Sequence, residues 1–131
     1  MAEAEQWIAH CATAWQRGEQ FSFAAFDAAS QEFLGSAGLN QRNRMHKFMN
    51  LGYWTRASQQ GRGIARRAAR LVAGFGFSHV HLTRIEIVTA PDNRASQRVA
   101  EAIGARFEAT ARKRLVSRGV AADAALYSLL P

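Results

Sequence analysis

The chain has 131 residues, 48% of them hydrophobic and 21% charged, which suits one domain and excludes a chain too polar to bury a core. Seventeen Lys and Arg against ten Asp and Glu leave a net charge of +7, a balance that favours polyanionic partners: nucleic acid, acidic lipid or a phosphate-bearing cofactor. The single cysteine, Cys11, excludes an intramolecular disulfide and a multi-cysteine zinc site, and it suits a reducing cytoplasm. No apolar run reaches the roughly 20 residues of a membrane span, and the N-terminus lacks the basic and apolar regions of a secretion signal. These features predict a soluble cytoplasmic domain over residues 1–131, with no membrane partner.

The first segment reads as an amphipathic helix, with Ala4, Trp7, Ile8, Cys11 and Trp15 on one face and Gly18 ending the pattern. Three strands follow. Phe21, Phe23 and Ala25 alternate; Phe33, Ala37 and Leu39 mark a second run; Phe48 to Thr55 is a third, rich in aromatic residues. The polar stretch Gln41 to Lys47 is expected to turn between the last two, making an antiparallel meander. From Gly63 the period changes. Ile64, Ala68, Leu71, Val72 and Phe75 share a helical face, with Arg66, Arg67 and Arg70 around the others. A strand over Arg84 to Ala90 leads through Pro91-Asp92-Asn93 into a helix carrying Ala95, Val99, Ala102 and Ile103, which Gly104 closes. Arg106 to Val116 and Ala122 to Leu130 complete the pattern as a hairpin turning near Arg118-Gly119. The order predicts a mixed α/β (α+β) domain around one sheet, with a strand–helix–strand crossover in the middle.

The segment Gln59-Gln60-Gly61-Arg62-Gly63-Ile64-Ala65 lies between a strand and a helix. Its small residues allow close backbone approach, and the unpaired N–H groups of a first helical turn suit an anion such as pyrophosphate. A plain strand-to-helix turn is the structural alternative. The segment matches neither the Walker pattern nor the full dinucleotide fingerprint, which argues against a nucleotide triphosphatase or a nicotinamide enzyme.

A second segment, Asn93-Arg94-Ala95-Ser96, opens the next helix, and Gly104-Ala105-Arg106-Phe107-Glu108 follows it. The Gln60–Ala65 loop, this Asn-x-x-Ser helix start, the Gly-Ala-Arg-Phe-Glu stretch and the strand Leu51-Gly52-Tyr53-Trp54 occur in one order. In that combination the chain resembles the GNAT superfamily of acetyl-coenzyme A-dependent N-acetyltransferases, and within it the branch of ribosomal-protein N-terminal acetyltransferases. The resemblance covers nearly the whole chain. It implies that the backbone of Gln60, Gly61, Arg62, Gly63, Ile64 and Ala65 wraps the pyrophosphate of coenzyme A. It also implies that Tyr53, Trp54 and Thr55 meet the pantetheine arm at a splay between parallel strands, as an added strand would. Asn93 would bond the same arm, and Ser96 would protonate the leaving thiolate. The acceptor would be a primary amine, either a protein N-terminus or a small molecule; no metal is implied.

Each role has a structural rival. Asp92 or Asn93 can cap its helix, and Ser96 can serve a local backbone bond. The tyrosine that many members place four residues before the helix-ending glycine is Ala100 here. No motif fixes the general base; Glu86, His46 and Asp123 are the candidates. His10, His79 and His81 form no zinc pattern with Cys11. Family members also carry a further strand and helix before the first helix seen here, so this chain reads as N-terminally shortened. The edge from Phe21 to Asp27 would then be uncovered, which leads us to expect a homodimer. The other readings are a coenzyme A-binding module without catalysis and a basic nucleic-acid-binding domain. No recognisable nucleic-acid motif supports the last.

Overall fold

A computed structural model of the chain describes residues 11–131. Ala4, Trp7, Ile8 and His10 of the expected first helix lie outside the described residues; residues 11–16 are helical. Then come β1 (Phe21–Phe26), β2 (Phe33–Asn43) and β3 (Phe48–Thr55), a 3-10 turn at Ala57–Gln59, and α1 (Ile64–Ser78). They are followed by β4 (Arg84–Thr89), α2 (Arg94–Ala102), β5 (Arg106–Ser117) and β6 (Val120–Leu129). The six strands form one sheet in the order β1-β2-β3-β4-β6-β5. Only the β3–β4 pair is parallel, as a crossover through α1 requires. Among the described residues this is the mixed sheet with flanking helices that the sequence order predicts.

The alternating apolar pattern determines which face of the sheet is covered. Leu39 of β2, Met49 and Leu51 of β3, and Ile85 and Ile87 of β4 are the largest fully buried side chains. Each contributes about 1.5–3 kcal/mol by leaving water. Over them lie the small residues Ala69, Val72 and Ala73 of α1 and Ala100 of α2, which let the helices approach closely. Arg70 of α1 donates through Nη2 to the Ala102 carbonyl at 3.0 Å, tying the two helices together at the C-terminus of α2.

Two expectations need adjustment. The second strand continues to Asn43 instead of turning at Gln41, because a register shift between Asn40 and Asn43 and a positive φ at Gln41 absorb the irregularity. The turn proper is residues 44–47. β1 is an edge strand, as expected, with β2 its one partner among the described residues, but two of its three phenylalanines are covered. Phe21 and Phe23 pack edge-on against Trp15 (5.2 and 5.0 Å between ring centroids) and against Phe75 of α1 (5.4 and 5.2 Å). Of the three, only Phe26 is exposed, at 57%, because it alternates with Ser22 and Ala24 on the outer face of β1. At the other edge the hairpin turns through Arg118 and Gly119, both at positive φ (51° and 78°), with Ser117 opposite Val120. That is the two-residue connection whose twist suits antiparallel strands.

Candidate active site

The site begins where the parallel pair ends. β3 and β4 are in register only from Phe48↔Arg84 to Asn50↔Glu86. Beyond Asn50, β3 keeps its partner on β2 (Ala37↔Tyr53, Ser36↔Trp54, Gly35↔Thr55) but has none on β4. β4 meanwhile continues to Thr89 against β6. The strands therefore splay, and one edge of β3 from Leu51 to Thr55 is left without a ladder. That edge is ready for an extended ligand to pair with it.

The second wall is the start of α1. Its N-cap is Gly63, at φ 74°, with no side-chain cap and no acidic residue in the first turn. The leading N–H groups thus lack both an intrahelical partner and a side-chain acceptor. Gly61 also has positive φ (81°), and a Cβ built on it would meet nothing within 4 Å. Two left-handed positions on either side of Arg62 turn this loop so that its backbone faces open space.

The third wall is the start of α2. Asn93 is its N-cap and accepts from the Ser96 N–H through Oδ1 at 3.1 Å. Ser96 Oγ donates to Tyr53 Oη at 3.2 Å, and Tyr53 Oη donates to the Ser96 carbonyl at 2.6 Å. Burial pushes the Tyr53 phenol above its usual range, and the bond with Ser96 opposes that rise only in part.

These three walls enclose a cleft of about 670 Å³. Tyr53, Trp54, Thr55, Gln60, Gly61, Gly63, Ile64, Ala65, Asn93 and Ser96 all line it. Arg62 does not: its guanidinium turns away and bonds the side chain of the buried Gln59. Gln59, Arg66, Ala95, Arg98, Val99 and Ala102 line the cleft as well. Val99 and Ala102 follow Ser96 at helical spacing, so the face was legible in the sequence. Arg66 and Arg98 supply positive charge without an ion-pair partner among the described residues.

The candidate bases lie elsewhere. No carboxylate or imidazole is among the described residues lining the cleft. Arg84 binds the Glu86 carboxylate (3.0 Å) and forks onto both oxygens of Glu108 (2.8 and 2.6 Å). Ser128 Oγ donates to Glu108 at 2.6 Å. These partners, the Arg84 hydrogen bonds first, hold Glu108 down to about 2. Asp123 accepts from the Lys113 backbone N–H at 3.0 Å, and His46 is exposed in the β2–β3 turn. His79 stacks on Phe75 at 5.1 Å, and Cys11 is a free, half-buried thiol.

A meander joined through a splayed parallel pair to a C-terminal hairpin, with an anion-ready helix end beside the splay, defines the mixed-sheet acyltransferase class. Within that class, residues 1–106 match the model of the Acetyltransferase (GNAT) domain, and the chain belongs to that family. The chain is 32% identical over 117 residues to "Probable N-acetyltransferase YjcK" of Bacillus subtilis, covering 88% of this chain and 64% of that protein. Ribosomal-protein-S5-alanine acetyltransferase from Vibrio fischeri superposes with a TM-score of 0.86 at 26% identity, covering 95% of this chain and 69% of that one. RimL, a ribosomal L7/L12 alpha-N-protein acetyltransferase in complex with coenzyme A, superposes with a TM-score of 0.88 over 98% of this chain and 72% of that one. At 22% identity this last likeness concerns the fold. The chain spans between 52% and 64% of the length of the curated relatives it matches.

Proposed function

We propose that residues 1–131 form one domain that transfers an acetyl group from acetyl-coenzyme A to a primary amine, by direct attack within a ternary complex. The observation that carries this reading is the convergence of the open β3 edge, the uncapped start of α1 and Ser96 on one cleft. The residues fit the co-substrate. The loop Gln60–Ala65 offers backbone N–H groups to the pyrophosphate, with Arg66 and Arg98 adding positive potential. The open edge at Tyr53–Thr55 offers backbone pairing to the pantetheine arm, and the Asn93 amide NH₂ is free of any protein partner among the described residues. As the amine nitrogen bonds the thioester carbonyl carbon, the carbon–sulfur bond breaks and Ser96 Oγ gives its proton to the departing sulfur. The nitrogen's surplus proton passes to water, which restores the Ser96 hydroxyl. With no carboxylate or imidazole among the described residues of the cleft, catalysis rests on placement more than on proton abstraction.

The acceptor we favour is a protein N-terminus, on the strength of the ribosomal-protein acetyltransferases among the similar structures; a small amine is the alternative. The reading extends to a cytoplasmic setting, which a lone cysteine suits. Among the described residues no helix is long and apolar enough to cross a membrane. It extends also to a homodimer. An apolar groove of about 560 Å³ between β1 and α1 is floored by Ala37 and Val72 and rimmed by Phe26 and Leu71, the last 75% exposed. A second reading, a coenzyme A-binding module without catalysis, is favoured by the lack of a carboxylate or imidazole among the described residues lining the cleft. A thermal-shift titration with acetyl-coenzyme A tests both. Saturation at a hundred times the dissociation constant should stabilise the fold by about 2.7 kcal/mol, and no shift at millimolar ligand would refute both.

A further inference from the structure

Building on the reading of Ser96 as the acid, we infer that the Tyr53 side chain is the positioning residue that sets the Ser96 hydroxyl, and not only a backbone contact on β3. Tyr53 holds Ser96 at two points: it donates to the carbonyl at 2.6 Å and accepts from Oγ at 3.2 Å. With Asn93 Oδ1 on the Ser96 N–H at 3.1 Å, every polar group of Ser96 is engaged. The two residues stand 43 apart in sequence, on opposite walls of the cleft. A single phenol therefore fixes both the distance between α2 and the splayed β3 and the torsion of the Ser96 side chain.

Tyr53 is not itself the proton donor. Its proton is committed to a backbone carbonyl, and burial disfavours the phenolate. Its phenol oxygen instead holds the Ser96 hydroxyl in one staggered well, from which a rotation about the Cβ–Oγ bond turns the proton toward the cleft. Without the phenol the serine samples its other wells, and its proton is less often within reach of the leaving sulfur. The alternative is purely mechanical: Tyr53 tethers α2 to the sheet, and its loss loosens the cleft without touching proton delivery.

A double-mutant cycle separates the two. Turnover is read as thiol release from acetyl-coenzyme A with a panel of tripeptides bearing free N-termini. Tyr53→Phe should lower kcat about tenfold while KM for acetyl-coenzyme A stays within about threefold of wild type. In a Ser96→Ala background the same change should cost less than about twofold, because the group it positions is gone. Equal losses in the two backgrounds would overturn the proposal, as would a change confined to KM or to melting temperature. A second measurement needs no turnover. Three-bond couplings at Ser96 should report one χ1 rotamer in the wild-type protein and averaged values in Tyr53→Phe; averaging in the wild type, or one rotamer in both proteins, would overturn the proposal. Should acetyl-coenzyme A fail to bind by calorimetry, the acetyltransferase reading falls, while the couplings still decide whether Tyr53 fixes Ser96.

Discussion

Replacing Gly63 with alanine probes the loop before α1 with one methyl group. Gly63 sits at φ 74°, where an L-residue costs about 1–2 kcal/mol. The added Cβ would approach Arg66 Nη2 at 3.2 Å, the mobile end of a long side chain, and no backbone atom. The cost to the fold should therefore stay near 1 kcal/mol, which for a domain of this size lowers the melting temperature by about 3–5 °C. Binding should suffer more. A methyl group between the helix start and a pyrophosphate displaces one charge-assisted hydrogen bond, about 1.5–3 kcal/mol. We expect the dissociation constant for acetyl-coenzyme A to rise between about tenfold and 10²-fold. Calorimetric titration and differential scanning on the same preparation give both numbers. Valine at this position adds a β-branched side chain where φ is positive, so it damages the fold as well and is the less informative substitution. An alanine variant that melts lower yet binds acetyl-coenzyme A within threefold of wild type would refute the phosphate role and leave the loop as a turn.

Three further outcomes follow from particular contacts. Glu108, held down to about 2 by Arg84 and Ser128, contributes stability that is fully present above its unfolded value of about 4.5 and is lost as pH falls toward 2. Its side chain is about one-third exposed, so solvent screening reduces the contribution to about 1 kcal/mol; acid melting curves of wild type and Glu108→Gln should converge near pH 2 and separate above pH 5. Because no carboxylate or imidazole lines the cleft among the described residues, kcat/KM should rise with pH along the acceptor's own ionisation, near 8 for a peptide α-amine; a plateau reached near pH 6 would point to an enzyme base. Light scattering should find a dimer that Leu71→Glu, at the rim of the apolar groove, converts to a monomer, whereas a monomeric wild type at high concentration would count against the dimer.

Much of the frame was legible because hydrophobic period and turn chemistry agreed. The aromatic-rich run from Phe48 to Thr55 marked β3, and Asn93 with Ser96 marked the start of α2. The polar run from Gln41 to Asn43 misled because polarity resembles a turn, whereas the strand absorbs it by a register shift and a positive φ at Gln41. In the site, the Gln60–Ala65 loop was readable from its glycines. The direction of Arg62 was not, since it depends on the side-chain oxygen of the buried Gln59. Least legible were contacts between distant segments. Nothing in the spacing places the Tyr53 phenol on Ser96, and nothing in the local pattern marks Glu86 as already engaged by Arg84. Such contacts arise from the splay of β3 and β4 and from β5 docking beside β6, which only the folded sheet reveals.

The central claim is acetyl transfer at this cleft, and the most direct measurement is mass spectrometry of the acceptor. Purified protein is incubated with acetyl-coenzyme A and N-terminally free peptides, with Ser96→Ala run in parallel. The account predicts a peptide carrying one acetyl group on its α-amine, formed in step with free thiol, and about 10²-fold more slowly by the variant. Acetyl-coenzyme A that binds by calorimetry yet leaves every amine unmodified would contradict it and make the cleft a binding site alone.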